Sequence, residues 1–555
     1  MSDQGARDAA LLTDRHLLLQ APAGSGKTTV LAQRFLAALA QVEEPEQVLA
    51  ITFTRKAAAE MRERVLAALE GRMAGDTPDL QRWAQLREGV MRQVQRRGWA
   101  LEELPARLRI QTIDSLCHEI ARAMPLLGRM HQSLEVVDDA RPAFLEAAGQ
   151  TLRMADEEPE LQADADRLLR RLDNDWDRAR QLLADLLPGR NRWLQVLAIE
   201  SPEALGARVA ASLRRIVGES LCAMQGAIPV ALCEEAAALL RASAGHRAAG
   251  GGDDGAAVWL QPGTALADDP VQLLAWQAMA SLALKDDGEW RAQVNVNHGF
   301  PREEAALKRR WKSWLEGMQD LPDMQRRLQA LVALPSPEVE AEEVAALAAL
   351  ARLMILAAAQ LKLEFQRRGQ VDHAEVAAVA RQALREMGVP TELSVRQTLR
   401  VRHLLVDEFQ DTSPDQLDLV RELTQGWDDG ESRSLFVVGD PMQSIYLFRN
   451  SEVGLFLQVR AQGVGETALQ ALQLQRNFRS VPALVDWYNA AFERIFPRSE
   501  DIRSSAVTYL RAEAARSAGD SVEPAIQVWP QVQAEPGPEA AAIAVEIQRL
   551  RAVHP

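Results

Sequence analysis

Cysteine is scarce in this chain. Three occur among 555 residues, Cys117, Cys222 and Cys233, and they are scattered. They lack metal-ligand spacing and cannot build a disulfide framework, so a reducing, cytoplasmic location is expected. No uninterrupted apolar run reaches about 18 residues, so no membrane span is indicated. The opening stretch MSDQGARDAALLTDRH has no basic segment followed by an apolar core, and no secretory signal is expected. Basic charge is also short: 63 Lys and Arg stand against 78 Asp and Glu, for a net charge of −15. That argues against a generic nucleic-acid binder held by overall charge. It does not exclude a motor that grips a single strand by base stacking and a local basic groove. No repeat at a fixed period occurs, and no cluster of His, Cys and acids suggests a transition-metal site.

What is present is a split α/β pattern. The length points to about two to four domains. HLLLQ (16–20), VLAITFT (48–54) and LRIQTI (108–113) are short apolar runs, the first two followed by helical patterns, and together they give the βαβ rhythm of a parallel sheet covered by helices. Residues from about 126 to 365 are rich in Ala, Leu, Glu and Arg at helical spacing and predict a mostly helical insertion. Within it, ASAGHRAAGGGDDGAA (242–257) predicts a flexible loop. A helix over 371–387 leads back to two further buried strands, VRHLLVDEF and SLFVVGD. LQALQLQRNF (469–478) and AIQVWPQ (525–531) suggest a second sheet, and the last residues form a helical pattern.

Two segments carry chemistry. The loop Ala21, Pro22, Ala23, Gly24, Ser25, Gly26, Lys27, Thr28, Thr29 lies between a strand and a helix. Its glycines let backbone N–H groups turn onto phosphate oxygens, at the positive end of the following helix. Lys27 would reach the β- and γ-phosphates of ATP, and the Thr28 hydroxyl would ligate Mg²⁺. The strict P-loop pattern has glycine where this chain has Ala21. The second segment, HLLVDEFQDTSPDQ, drives a strand inward and ends it on Asp407 and Glu408. Adjacent carboxylates repel unless a cation or a reaction uses them. With a phosphate loop in the same sheet, Asp407 is expected to hold Mg²⁺, directly or through water, and Glu408 to polarise the attacking water.

VDEFQDTSPDQ resembles motif II of the superfamily I DNA helicases of the UvrD/Rep type. ITFTRKAAAEMRERV (51–65) is similar to their motif Ia, IQTIDSLCHEIAR (110–122) to the next DNA-contacting block, FVVGDPMQSIYLFRNSEVGLF (436–456) to motif III, and LQLQRNFRS (472–480) to motif IV. The style of motif III is closest to AddA-like and RecB-like helicase–nuclease proteins. The resemblance implies an α/β, P-loop NTPase fold: a RecA-like domain over 1–125 and 366–463, a helical insertion over 126–365, and the start of a second RecA-like domain over 464–555. It implies that Gln443 senses the γ-phosphate, that Arg479 acts as an arginine finger, and that Phe478 lies beside the adenine where the family often has Tyr. Phe53, Thr54, Arg55, Thr112, Ser115, Tyr446, Phe448 and Arg449 are the expected DNA contacts. The implied activity is ATP-dependent 3′-to-5′ movement on single-stranded DNA and at single-strand/duplex junctions, in repair and recombination. An AddB-like or other recombination protein is the implied partner, and no membrane partner is expected.

The chain also departs from that family. The adenine-reading glutamine corresponds in position to Ala6, with Gln4 nearby, and Thr29 replaces an arginine that UvrD places after its GKT. No segment after Arg479 resembles motifs V and VI. The chain is therefore expected to be the N-terminal part of a longer protein, binding Mg-ATP weakly and unwinding no duplex alone. A stand-alone UvrD/Rep-type helicase is one alternative. A nucleotide-binding DNA scaffold or regulatory module without translocation is another.

Overall fold

The computed structural model describes residues 3–73, 75, 77–99, 107–123, 135–199, 201–249, 255–386, 389–390, 400–427, 432–444, 453–502, 505–516 and 536–553. The chain divides into two compact units, residues 1–138 with 369–555, and residues 139–368.

The first unit is built on a six-stranded sheet. In chain order its strands are β1 (Leu17–Gln20), β2 (Val48–Thr52), β3 (Arg109–Thr112), β4 (His403–Val406), β5 (Ser434–Gly439) and β6 (Gln470–Gln473). They lie in the spatial order β6-β1-β5-β4-β2-β3, and every pair is parallel. Four of them (β1, β2, β4, β5) are buried at every residue. This is why they appear in the sequence as continuous apolar runs: a parallel sheet is covered on both faces. Successive side chains alternate between faces. Leu17, Leu19, Val48, Ala50, Ile110, Leu405, Phe436 and Val438 share a core with helices α1 (Asp3–Ala10), α2 (Lys27–Leu39), α3 (Arg55–Leu69) and α4 (Pro78–Arg97). Helix α5 (Ile113–Ala123) packs with the helix His373–Leu384, which in turn packs with the helix Pro414–Leu423.

Two expectations are corrected. Of the segment expected in a second sheet, Arg476–Asn477 does pair with Glu513–Ala514 in a separate two-stranded sheet, but residues 470–473 do not belong to it. Gln470–Gln473 pairs in parallel with Leu17–Gln20 and becomes the edge strand of the first sheet. The pairing covers backbone groups that β1 would otherwise leave open. The companion segment 525–531 lies outside the described residues. Residues 242–249 are also not a loop, because the helix Val230–Ala249 runs through them. Ser243 donates to His298 O at 2.8 Å, and the His246 ring lies 3.1 Å from Gly299 O, so tertiary contacts hold a stretch of small residues helical.

In the second unit, the helices Arg141–Glu157, Pro159–Arg171 and Pro202–Ala227 pack around the long helix Ala341–Arg368. That helix is long and apolar enough to cross a membrane, but it buries Ala348, Leu353, Met354, Leu361 and Phe365 among its neighbours as a core helix does. The buried Asp164 accepts from both Nε and Nη2 of Arg352 at 2.6 Å. A second core gathers Trp259, Trp276, Phe300, Trp311 and Trp314.

Arg34 fixes α1 against the first sheet. It is fully buried, and its guanidinium donates to Ala10 O (2.6 Å), Leu12 O (2.7 Å) and Arg15 O (3.1 Å) while lying 4.5 Å over the Phe436 ring. Replacing it leaves three inward carbonyls without a donor and opens a void. Arg34→Ala is expected to destabilise the first unit by about 3 kcal/mol, measured as a lowered urea midpoint followed by tryptophan fluorescence.

Candidate nucleotide site

The carboxyl ends of the central strands share one edge of the sheet. Register places Gln20 opposite Gly439 and Val406 opposite Val437. The loop 21–26, the acid pair and the turn Asp440–Gln443 therefore emerge side by side.

The loop turns through Gly24 and Gly26, both at φ 77°. An added Cβ at Gly24 would stand 2.7 Å from Asn477 Oδ1, so only glycine permits this close approach. Ala21 N donates to Gly439 O at 3.0 Å, which anchors the loop to β5. Ser25 is buried, and its Oγ has no hydrogen-bond partner among the described residues. A glycine cradle, an orphaned buried hydroxyl and a lysine at the helix start fit a phosphate group.

Lys27 Nζ donates to Glu408 Oε2 in a partly buried ion pair. Glu408 sits at φ 52°, a left-handed conformation that costs a non-glycine residue on the order of 1–3 kcal/mol. Neighbouring groups hold it there: Glu408 N donates to Asp407 Oδ1 at 3.0 Å, and Gln410 Nε2 donates to Glu408 Oε2 at 2.7 Å. Asp407 is buried. Burial pushes its carboxyl up to about 6, with Glu408 adding to the rise and Lys27 opposing it. A nearby divalent cation would reverse that balance. Gln443 Nε2 donates to Asp440 Oδ2, and burial raises the Asp440 carboxyl against that bond.

A cavity of about 380 Å³ joins these parts, lined in part by Gly24, Gly26, Lys27, Thr28, Glu408, Gln443, Phe478 and Arg479. The remaining predicted loop residues, Pro22, Ala23 and Thr29, also line it, whereas Ala21 is fully buried beneath. Asp407 is buried and is not among the residues that line the cavity. Thr28 and Asp407 carry hard oxygen donors of the kind Mg²⁺ takes.

Motif reasoning passed over several residues that assemble this cavity. Asn477 donates to Ala23 O (3.1 Å), and its Oδ1 accepts from Arg479 N and Ser480 N (2.8 Å each). Phe478 N donates to Gly24 O at 2.8 Å. Arg7 donates to Ser25 O (2.5 Å) and to Asp3 Oδ2 (2.8 Å), and lies 5.0 Å over the Phe478 ring. Asp3 in turn accepts from Gln475 N and Arg476 N at 2.9 and 3.1 Å. Helix α1 thus clips the phosphate loop to the Phe478 segment. Ala6 belongs to the hydrophobic core, and Gln4 donates to Asp8 on an exposed face. Arg64 reaches from α3 to the Thr29 hydroxyl at 3.1 Å, bringing a guanidinium to the cavity at the position where Thr29 itself carries none.

The expected DNA contacts divide. Thr52 pairs with Thr112 across β2 and β3, so Phe53–Arg55 and Thr112–Ser115 lie together at the same sheet edge. Phe53 is half-buried and Arg55 is exposed. Thr54 caps α3 by accepting from Ala57 N, and the Thr112 hydroxyl lies 2.8 Å from that of Ser115. Tyr446, Phe448 and Arg449 lie outside the described residues.

Residues 2–462 match the model of the UvrD/REP helicase N-terminal domain. Among curated proteins, the chain is 28% identical to an AddA-type ATP-dependent helicase/nuclease protein of Levilactobacillus brevis, over 97% of this chain and 44% of that protein. It is also 28% identical to proteins of the same name from Desulforudis audaxviator (88% of this chain, 40% of that protein) and Moorella thermoacetica (87% and 34%). The chain thus spans less than half the length of these relatives. With its parallel sheet, glycine cradle and acid pair in place, the chain belongs to the UvrD/REP helicase N-terminal domain family.

Proposed function

We propose that this chain is the motor portion of an ATP-driven DNA helicase, and that it binds and hydrolyses Mg²⁺–ATP in the cavity of about 380 Å³. The observation that carries this reading is convergence. Lys27, Glu408, Gln443 and Arg479 come from four separate segments and line one cavity. The relatives are named as helicase/nuclease subunits, which supports DNA as the track and a second protein as partner.

In this reading the γ-phosphate takes Lys27 from Glu408, and the loop N–H groups receive the β-phosphate oxygens. Thr28 and Asp407 hold Mg²⁺, which when bound neutralises phosphate charge. Glu408 accepts the proton of a water whose oxygen bonds to the γ-phosphorus as the bond to the bridging oxygen of ADP breaks. Arg479 stabilises the charge that develops, Gln443 senses the γ-phosphate, and Phe478 packs against the base. Single-stranded DNA, and its junction with duplex, would run over the sheet edge formed by Phe53, Thr54, Arg55, Thr112 and Ser115, with Tyr446, Phe448 and Arg449 completing the path. Family resemblance supports a reading of movement in the 3′-to-5′ direction and of a place in repair and recombination inside the cell.

The test is ATP hydrolysis with and without single-stranded DNA, beside nucleotide binding. Lys27→Ala is expected to weaken binding at least about tenfold, through loss of a charge-assisted phosphate contact. Glu408→Gln is expected to retain binding and to slow hydrolysis by about a hundredfold or more, as loss of a general base does. Binding indifferent to Lys27→Ala would refute the site. If Phe478 stacks on the base, Phe478→Ala raises KM roughly tenfold and leaves kcat within about twofold, as read from steady-state kinetics.

A further inference from the structure

The acid that activates water is held by a residue outside the motif roles above. Gln410 lies two positions after Glu408 and is buried. Its amide has two ends, and both are in use. Nε2 donates to Glu408 Oε2 at 2.7 Å and to Asp411 Oδ2 at 3.3 Å. Oε1 accepts from Asp440 N at 2.9 Å. Asp440 begins the turn that carries Gln443 and binds its amide. One side chain therefore spans from the carboxylate at the end of β4 to the turn at the end of β5.

Two facts make this more than packing. Lys27 and Gln410 donate to the same oxygen of Glu408. If a phosphate takes Lys27 away, Gln410 is the side-chain donor that stays. In addition, β5 makes room for it. A Cβ added to Gly439 would lie 2.7 Å from Gln410 Oε1, 3.0 Å from Phe456 Cε2 and 3.3 Å from Gln410 N, and Gly439 has no positive φ that would otherwise call for glycine.

We propose that Gln410 is a positioning residue for hydrolysis. It keeps the Glu408 carboxylate aimed at the attacking water once Lys27 has moved to the phosphate, and it ties that aim to the Asp440 turn that presents Gln443. The proposal rests on the nucleotide-site reading given above.

The experiment is single-turnover hydrolysis of radiolabelled Mg-ATP with the chain in excess, which reads even slow chemistry, beside binding of a fluorescent ADP analogue. Gln410→Ala is expected to slow hydrolysis at least about tenfold, the usual cost of removing an outer-shell partner, while nucleotide affinity stays within about threefold. Gln410→Glu keeps an acceptor for Asp440 N but loses both donors, and it is expected to be as slow as Gln410→Ala. Gly439→Ala leaves Gln410 in the sequence but pushes its amide away, and it is expected to slow hydrolysis too.

Rates within about twofold of the parent for Gln410→Ala, or affinity falling in parallel with rate, would each overturn the positioning role alone. Absence of Lys27-dependent hydrolysis in the parent chain would overturn the reading of the site, and the role of Gln410 with it.

Discussion

Parallel pairing in a fixed register decides where chemistry can occur in this molecule. In a parallel sheet all strands end at one edge, and ligands meet the chain there. Because Gln20 stands opposite Gly439, and Val406 opposite Val437, the phosphate loop, the acid pair and the Asp440 turn have no freedom to separate. A slip of one residue would exchange the two faces of a strand and set the wrong side chains against the helices on each side. Burial of β1, β4 and β5 therefore enforces the same alignment that assembles the cavity.

At that edge the backbone meets demands that the strands do not. Gly24 turns left-handed and leaves room for Asn477, whose side chain then satisfies Ala23 O and the N–H groups of Arg479 and Ser480. Glu408 also turns left-handed, but it carries a side chain, so its conformation is unfavourable alone. Asp407 and Gln410 offset that cost with hydrogen bonds at each end of the residue. Strain at one residue and glycine at another thus answer the same need, to bring the chain sharply round at the end of a buried strand.

The sequence disclosed the five strands that are apolar runs, and it disclosed the residues of the two motifs. Lys27 and Glu408 were legible because their neighbours mark them: a glycine loop before a helix, and two acids after an apolar run. The edge strand was legible as a strand but not as a member of this sheet, because only Leu472 of QALQ is buried and its polar alternation has no marker for the sheet it joins. The clip through Asp3 and Arg7 was equally hidden. Two charges on a short helix are ordinary, and nothing local announces that Asp3 accepts the N–H of Gln475, 472 positions away. The stretch 242–249 looked like a loop because its residues are small. Its helix depends on what Ser243 and His246 touch near residue 298, a property of packing rather than of composition.

On the reading proposed for the cavity, nucleotide binding would have to undo the pairing of Lys27 with Glu408. A partly buried ammonium without a counter-charge is costly, and so is a partly buried carboxylate. Without phosphate each serves as the partner of the other. A triphosphate offers Lys27 a stronger partner, but the exchange deprives Glu408 of its cation. Were Lys27 its only restraint, the carboxylate would lose its orientation at the moment water must be activated. The neutral amide of Gln410 avoids this, since it already donates to the same oxygen and has no reason to follow the phosphate. A neutral donor also holds a carboxylate less tightly than a cation does. After the exchange Glu408 is therefore fixed in place and no longer occupied in neutralising an ammonium, which is the state in which it can take a proton.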